Sequence, residues 1–250
     1  MSIFLIYAYL FFIGSILGWV AELLFRRFIS SANPERKWIN PGFCVGPYIP
    51  LYGFGLCCLF AMTYLETEIL PDTIWGKIVM IIMMAVAMTA LEFIAGLFVL
   101  KISNVRLWDY TKQWGNIMGL ICPKFSLIWA ACGAAYYIFV HPHIIAALYW
   151  LSENLAFSFF IGFFFGIFLI DVVYSSQLLV KIRKFAVEND VIVRYENLKS
   201  QIRKVQDETR KKVHFLLPFY TGKHISEHLK ENLPLLEIKR SKNQKNIKEL

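Results

Sequence analysis

Basic residues are all but missing from five long stretches of this chain. Residues 3–25, 43–65, 74–100, 125–140 and 148–174 hold no Lys or Arg apart from Lys77, which sits near an edge. Charged residues make up 18% of the 250 positions, against 57% hydrophobic and 16% aromatic. That balance lies outside the habit of soluble domains, and about 20 apolar residues suffice to cross a bilayer. The stretches therefore predict an all-α integral membrane protein with five transmembrane helices, the fourth at the short limit. Other absences narrow the chemistry. No GxxxxGK[ST] phosphate loop occurs, so the chain does not itself hydrolyse ATP by that route. Neither HExxH nor a Ser/His/Asp ordering is visible. The five cysteines (Cys44, Cys57, Cys58, Cys122, Cys132) form no CxxC pair, which argues against a disulfide framework or zinc site and for small apolar packing residues. His141-Pro142-His143 has no carboxylate cluster beside it, so no metal is expected there, and no cofactor is implied.

The basic residues that do occur are segregated. Arg26, Arg27, Arg36 and Lys37 follow the first stretch, and Lys101, Arg106, Lys112 and Lys124 separate the third from the fourth. The other two connectors carry Glu66, Glu68 and Asp72, or His141 and His143. From Ser175 onward 17 basic residues face 9 acidic ones, a net of +8 that equals the excess of the whole chain. With five crossings every basic connector falls on one side. The positive-inside rule then predicts a multi-pass protein of the cell membrane with its N-terminus outside and its C-terminus cytoplasmic. The first stretch is expected to be retained, because Arg26-Arg27 follows it where a signal peptide would carry a small-residue cleavage site. The basic tail reads as contact with anionic membrane lipids rather than with nucleic acid.

Two glutamates stand inside apolar stretches, Glu22 in the first and Glu92 in the third. A carboxyl in a bilayer costs about 3 kcal/mol or more unless it is paired, protonated or turned to a polar cavity. After each comes a Gly/Pro-rich segment: Asn40-Pro41-Gly42-Phe43 with Gly46, Pro47, Pro50, Gly53 and Gly55, then Asn116 with Gly119, Cys122 and Pro123. Proline removes a helix hydrogen bond, and irregular backbone at membrane depth needs protein or a water-filled cavity to cover it. The first half of the second stretch is thus expected to be broken, and the two copies suggest a parallel two-hairpin repeat. Matching interruptions in two halves of a chain point to a transporter binding site.

The fifth stretch carries Ser158, Gly162 and Gly166 at four-residue spacing, which lets helices approach closely; internal packing is the ordinary reading and a homodimer face the alternative. Asp171 follows toward its inner end. Beyond it the helix is expected to continue into the cytosol as a basic helical tail over 176–250, separate from the transmembrane domain 1–175. Val191, Tyr195, Leu198, Ile202 and Val205 form a coiled-coil-like stripe there, with a disordered end from Lys239.

Each candidate has a plain reading beside the functional one. Arg26 lies four residues after Glu22, so a helix-surface ion pair explains that glutamate. Glu92 has no base within a helical turn or two and is the stronger functional candidate. Arg106, Trp108, Asp109 and Tyr110 combine a charge pair with aromatics that favour the headgroup level, while Asp109 also suits the lip of a polar site. Asn40 and Asn116 suit helix caps or hydrogen bonds to the glutamates. Tyr52, Ser126 and Asp171 complete the polar candidates.

Gly18-Trp19 with Glu22, then Asn40-Pro41-Gly42-Phe43, Gly46-Pro47, Pro50 and Tyr52-Gly53-Phe54-Gly55, resemble the ABC-transporter type IV permease family, also called the CmpB family. Leu91-Glu92, Gly96, Trp108-Asp109-Tyr110, Asn116, Gly119, Cys122-Pro123, Phe125-Ser126 and Trp129 resemble its second signature. The resemblance covers about residues 5–175. Pro41 departs from it, standing where a basic residue is expected. The resemblance implies a transport permease with a separate ATPase subunit. Three functions stay open: a permease whose acids Glu22, Glu92 and Asp171 serve a cationic or proton-coupled substrate; a membrane enzyme acting on a lipid or lipid-linked substrate, with Glu92 or Asp109 as base and Arg106 or Lys124 on the headgroup; and a scaffold working through its tail.

Overall fold

In a computed structural model, helices dominate. The structure describes residues 2–30, 33, 35–71, 73–189, 191–195, 197–198 and 237–238, with backbone alone for 65–69, 191 and 237–238. Helix α1 spans Ile3–Phe28, α2 Pro50–Ile69, α3 Ile74–Ser103, α4 Pro123–Ala135, α5 His141–Glu153 and α6 Ser158–Glu188. A π turn, Tyr136–Val140, joins α4 to α5, and a 3-10 turn, Leu155–Phe157, precedes α6. Four helical segments are long and apolar enough to cross a membrane by length and composition: Ile3–Phe28, Ile74–Ser103, Pro123–Glu153 and Leu155–Glu188. Pro50–Tyr64 is a shorter apolar helix. The all-α membrane-type fold stands, while the count of five does not follow from these lengths.

Local chemistry sets the helix ends. The Ser2 hydroxyl accepts from the Leu5 amide at 3.3 Å, and Arg26 and Arg27 fill the last turn of α1, where the helix dipole favours cations. Pro123 opens α4 and Pro50 opens α2, positions that need no amide donor. Asn104 takes φ 53° just after α3, the left-handed conformation that ends helices.

The chain divides into two compact units, Met1–Ala95 with Tyr110–Ser175, and Gly96–Asp109 with Ser176–Leu250. In the first, Tyr9 and Leu10 of α1, Leu59 of α2, Met80, Met84 and Met88 of α3, Tyr136, Ile144, Leu148 and Leu151 of the α4–α5 segment and Ile161 of α6 form one buried cluster. The methionines recur every four residues and so present one face of α3 to it. Against the sequence-based expectation, Gly53 and Gly55 are not part of a break: the irregular backbone runs through 41–49, and both glycines lie inside regular α2. Proline confines the disruption to the residues before Pro50, where its missing N–H costs nothing to the helix that follows. Gly53 serves packing instead. A Cβ there would collide with the Ser15 hydroxyl and, at 2.8 Å, with Phe11, and one at Gly14 would meet Leu56 at 2.8 Å. The close crossing is thus α1 on α2 through Gly14, Gly18 and Gly53. Gly162 and Gly166, expected to pack internally, have nothing among the described residues within 4 Å of a Cβ.

The second unit corrects the reading of the tail. Val191–Arg194 is a strand, β2, rather than the start of a helical stripe. It pairs in parallel with β1, Val105–Arg106, in the register Val105↔Val193 and Arg106↔Arg194. On its other side it pairs antiparallel with β3, Glu237–Ile238. Three consecutive β-branched residues, Val191-Ile192-Val193, favour extended backbone, and an open partner edge satisfies it. Ile202 and Val205, like the end expected to be disordered from Lys239, lie outside the described residues.

Candidate functional site

Glu22, near the end of α1, holds two partners through its two oxygens. Arg26 Nε lies 2.9 Å from Oε1, and the Tyr52 hydroxyl donates to Oε2 at 3.0 Å. The helix-surface ion pair is therefore real, but α2 adds a half-buried donor. Side-chain exposures of 21% and 23% for Glu22 and Arg26 make the pair itself worth at most about 1 kcal/mol.

Glu92, on α3, is only 4% exposed. The Trp129 indole donates to its Oε2 at 2.9 Å, and the Tyr110 hydroxyl donates to Oε1 at 2.9 Å. Tyr110 is fixed by stacking on Phe125, with centroids 4.2 Å apart and planes 11° from parallel. Burial, then the Glu92 charge and its hydrogen bond, and then the charge of Glu22, push the Tyr110 hydroxyl well above the ordinary phenol range. It therefore stays a donor at any working pH. The two carboxyl groups meet through an aromatic pair: the rings of Tyr52 and Trp129 lie 5.8 Å apart. Two hydrogen-bonded groups, Arg26–Glu22–Tyr52 and Trp129–Glu92–Tyr110, thus meet at the Tyr52–Trp129 ring contact, assembled from four helices and one loop. Each glutamate takes a hydrogen bond from an aromatic near the start of the following helix, Tyr52 for Glu22 and Trp129 for Glu92.

Other candidates build the loops around this chain. Asn40 is 3% exposed. Its oxygen accepts from Trp19 Nε1 at 2.8 Å and the Gly42 amide at 3.1 Å, and its nitrogen donates to the Cys44 and Val45 carbonyls, each at 3.1 Å. Asn116 donates to the carbonyls of Thr111 and Gln113 at 3.2 and 2.9 Å and accepts from the Gly119 amide at 3.0 Å. Both asparagines thus tie their own loops together. Gly46 and Pro47 lie in the first of these loops; Gly119, at φ 71°, lies in the second, which ends at Pro123. The Ser126 hydroxyl turns back to the Cys122 carbonyl at 3.3 Å.

Asp171 belongs to a different cluster. It accepts from the amides of Val45 at 3.1 Å and Gly46 at 2.7 Å, from Ser175 at 2.8 Å, and from the Tyr48 hydroxyl. Four donors satisfy one carboxylate, so α6 clamps the 45–48 segment against itself. In the second unit Asp109 bridges two arginines that the β1–β2 register sets side by side, Arg106 at 3.4 Å and Arg194 at 3.1 Å. Trp108 is half-buried in that unit. Among the described residues no group of three or more His, Cys, Asp or Glu could hold a metal ion.

Sequence reasoning left Tyr110, Trp129, Trp19, Tyr48 and Arg194 off the list of site residues. The available signal for Trp129 and Trp19 was their polar N–H within an apolar stretch, which finds a partner when buried; Tyr110 was readable only as an interfacial anchor.

A model of the family described as "Putative ABC-transporter type IV" matches residues 9–176. No curated protein and no solved structure matches the chain. The matched segment includes Glu22, Glu92, their aromatic donors and Asp171. With two acid-bearing hairpins on a membrane-type helical fold, the chain belongs to this ABC-transporter type IV, or CmpB, family.

Proposed function

We propose that the chain is a permease subunit that handles a cationic or proton-coupled substrate at the Glu22–Glu92 cluster, toward the cytoplasmic leaflet. The observation that carries this reading is Glu92 itself: a carboxyl in an apolar helix, 4% exposed, whose hydrogen-bond donors are a neutral indole and a neutral phenol. Such a group is costly to keep as an uncompensated anion, so a bound proton or a passing cation completes it. Purely structural carboxylates in the same chain look different: Asp171 has four donors, two of them backbone amides. Because the sequence has no phosphate-binding loop, an ABC-type role further requires a separate nucleotidase subunit.

The test is reconstitution into liposomes loaded with a mixture of inorganic cations, amino acids and polyamines, with efflux read by mass spectrometry. Wild type is expected to release one class of solute, and Glu92→Gln to abolish that release while keeping its thermal transition. Release unchanged by Glu92→Gln overturns the reading. An altered lipid profile in cells lacking the chain, with no efflux from liposomes, would instead assign the cluster to an enzyme acting on lipid.

A further inference from the structure

A second polar cluster lies in the first unit, between α2 and the π turn and α5 that follow the helix of Trp129. His141 Nδ1 is 3.0 Å from the Tyr136 hydroxyl and 3.4 Å from the Thr63 hydroxyl, with the Phe60 ring 6.1 Å from the imidazole. Tyr136 is 4% exposed and Thr63 6%. Thr63 is eleven residues after Tyr52 on α2, about three turns, so both lie on one face. Polar groups thus mark both ends of the contact between α2 and the α4–α5 segment. Between them Met84 and Met88 of α3 fill notches left by glycines: a Cβ at Gly133 would meet Met84 at 3.1 Å, and one at Gly55 would meet Met88 at 2.7 Å.

The histidine is put there by a backbone device. In a regular α-helix, residues five apart point about 140° away from each other. The π turn Tyr136–Val140 closes with the His141 amide donating to the Tyr136 carbonyl, and this wider turn brings positions i and i+5 together. Pro142 supplies the cause, since it has no N–H for the Ile138 carbonyl and its ring would crowd that group. π turns of this kind concentrate at functional sites. The neighbours also suit reversible protonation. The Thr63 hydroxyl donates to the Phe60 carbonyl at 2.8 Å, so toward the ring it accepts from a protonated Nδ1. The Tyr136 hydroxyl can donate to a bare Nδ1 or accept from a protonated one. Nδ1 therefore has a partner whether or not it carries a proton. Among the described residues Tyr136 is a titratable group within hydrogen-bond distance of it, and α2 contributes Thr63 and Phe60.

We infer that His141, with Tyr136 and Thr63, is a second proton-binding site, at which the proposed transport couples to protons. The inference rests on the permease reading. Full-length chain in liposomes containing the pH dye pyranine, driven by a potassium gradient with valinomycin, tests it. Wild type is expected to admit protons at a rate that inflects between pH 5 and 8. His141→Gln should slow entry about tenfold or more and remove the inflection. Tyr136→Phe, a milder change, should keep flux but shift the inflection; His143→Gln should alter neither. An inflection that survives His141→Gln overturns the inference, as does the absence of proton entry in wild type. If Glu92→Gln stops proton entry and His141→Gln does not, the permease reading stands and the histidine site falls.

Discussion

At the scale of single residues, the informative contrast is among the three buried or half-buried carboxyls. Glu22 has a guanidinium and a phenol, Asp171 has two amides and two hydroxyls, and Glu92 has one indole and one phenol. Whereas Asp171, 8% exposed, has four donors, Glu92 is the most deeply buried of the three, 4% exposed with two neutral side-chain donors. Removing one of its donors leaves the other in place, so Trp129→Phe and Tyr110→Phe are each expected to cost about 1–3 kcal/mol. Because the two donors share one acceptor, the costs should not add, and in a Glu92→Gln background both should shrink. Thermal unfolding of the single, double and triple variants in one detergent measures this coupling. Full additivity would mean that the three side chains do not form the unit described. The asparagines carry a related lesson. Their sequence neighbourhood suits capping or a bond to the glutamates, and the structure uses them instead to tie loop carbonyls and amides, because a loop between two membrane helices must satisfy its own backbone.

At the scale of elements, glycine positions decide how the helices meet. Gly14, Gly18 and Gly53 let α1 and α2 approach so closely that Tyr52 reaches Glu22, whereas Gly162 and Gly166 on α6 have nothing among the described residues within 4 Å of a Cβ. Gly53→Ala should therefore destabilise by about 1–3 kcal/mol through overpacking, while Gly162→Ala should change stability by no more than about 0.5 kcal/mol. Thermal shift on the two variants reads both, and equal effects would refute the close crossing. Elements were unevenly legible. Helix-forming stretches were, because hydrophobic length is a one-dimensional property. The run from Pro123 to Glu153 was harder: His141-Pro142-His143 suggests a turn, yet a π turn absorbs the proline and the helix continues. Strand β2 was misread as a helical stripe, because spacing alone does not record that a distant dipeptide, Val105–Arg106, offers a matching edge.

For the whole molecule, charge asymmetry yields an expected orientation, N-terminus outside and C-terminus cytoplasmic. A fluorescent-protein fusion at Leu250 should be bright, and an alkaline phosphatase fusion there inactive; the reverse pattern would invert the proposed orientation of the Glu22–Glu92 cluster. Sequence alone determined the membrane class and the family resemblance, the latter supported by the match over residues 9–176. Each depends on local hydrophobicity or on fixed spacing along the chain. Which groups surround each acid was decided only in three dimensions. Glu92 and Trp129 are 37 positions apart, and Asp171 and Gly46 are 125 apart; contacts at such separations are set by how helices pack, which no local pattern encodes.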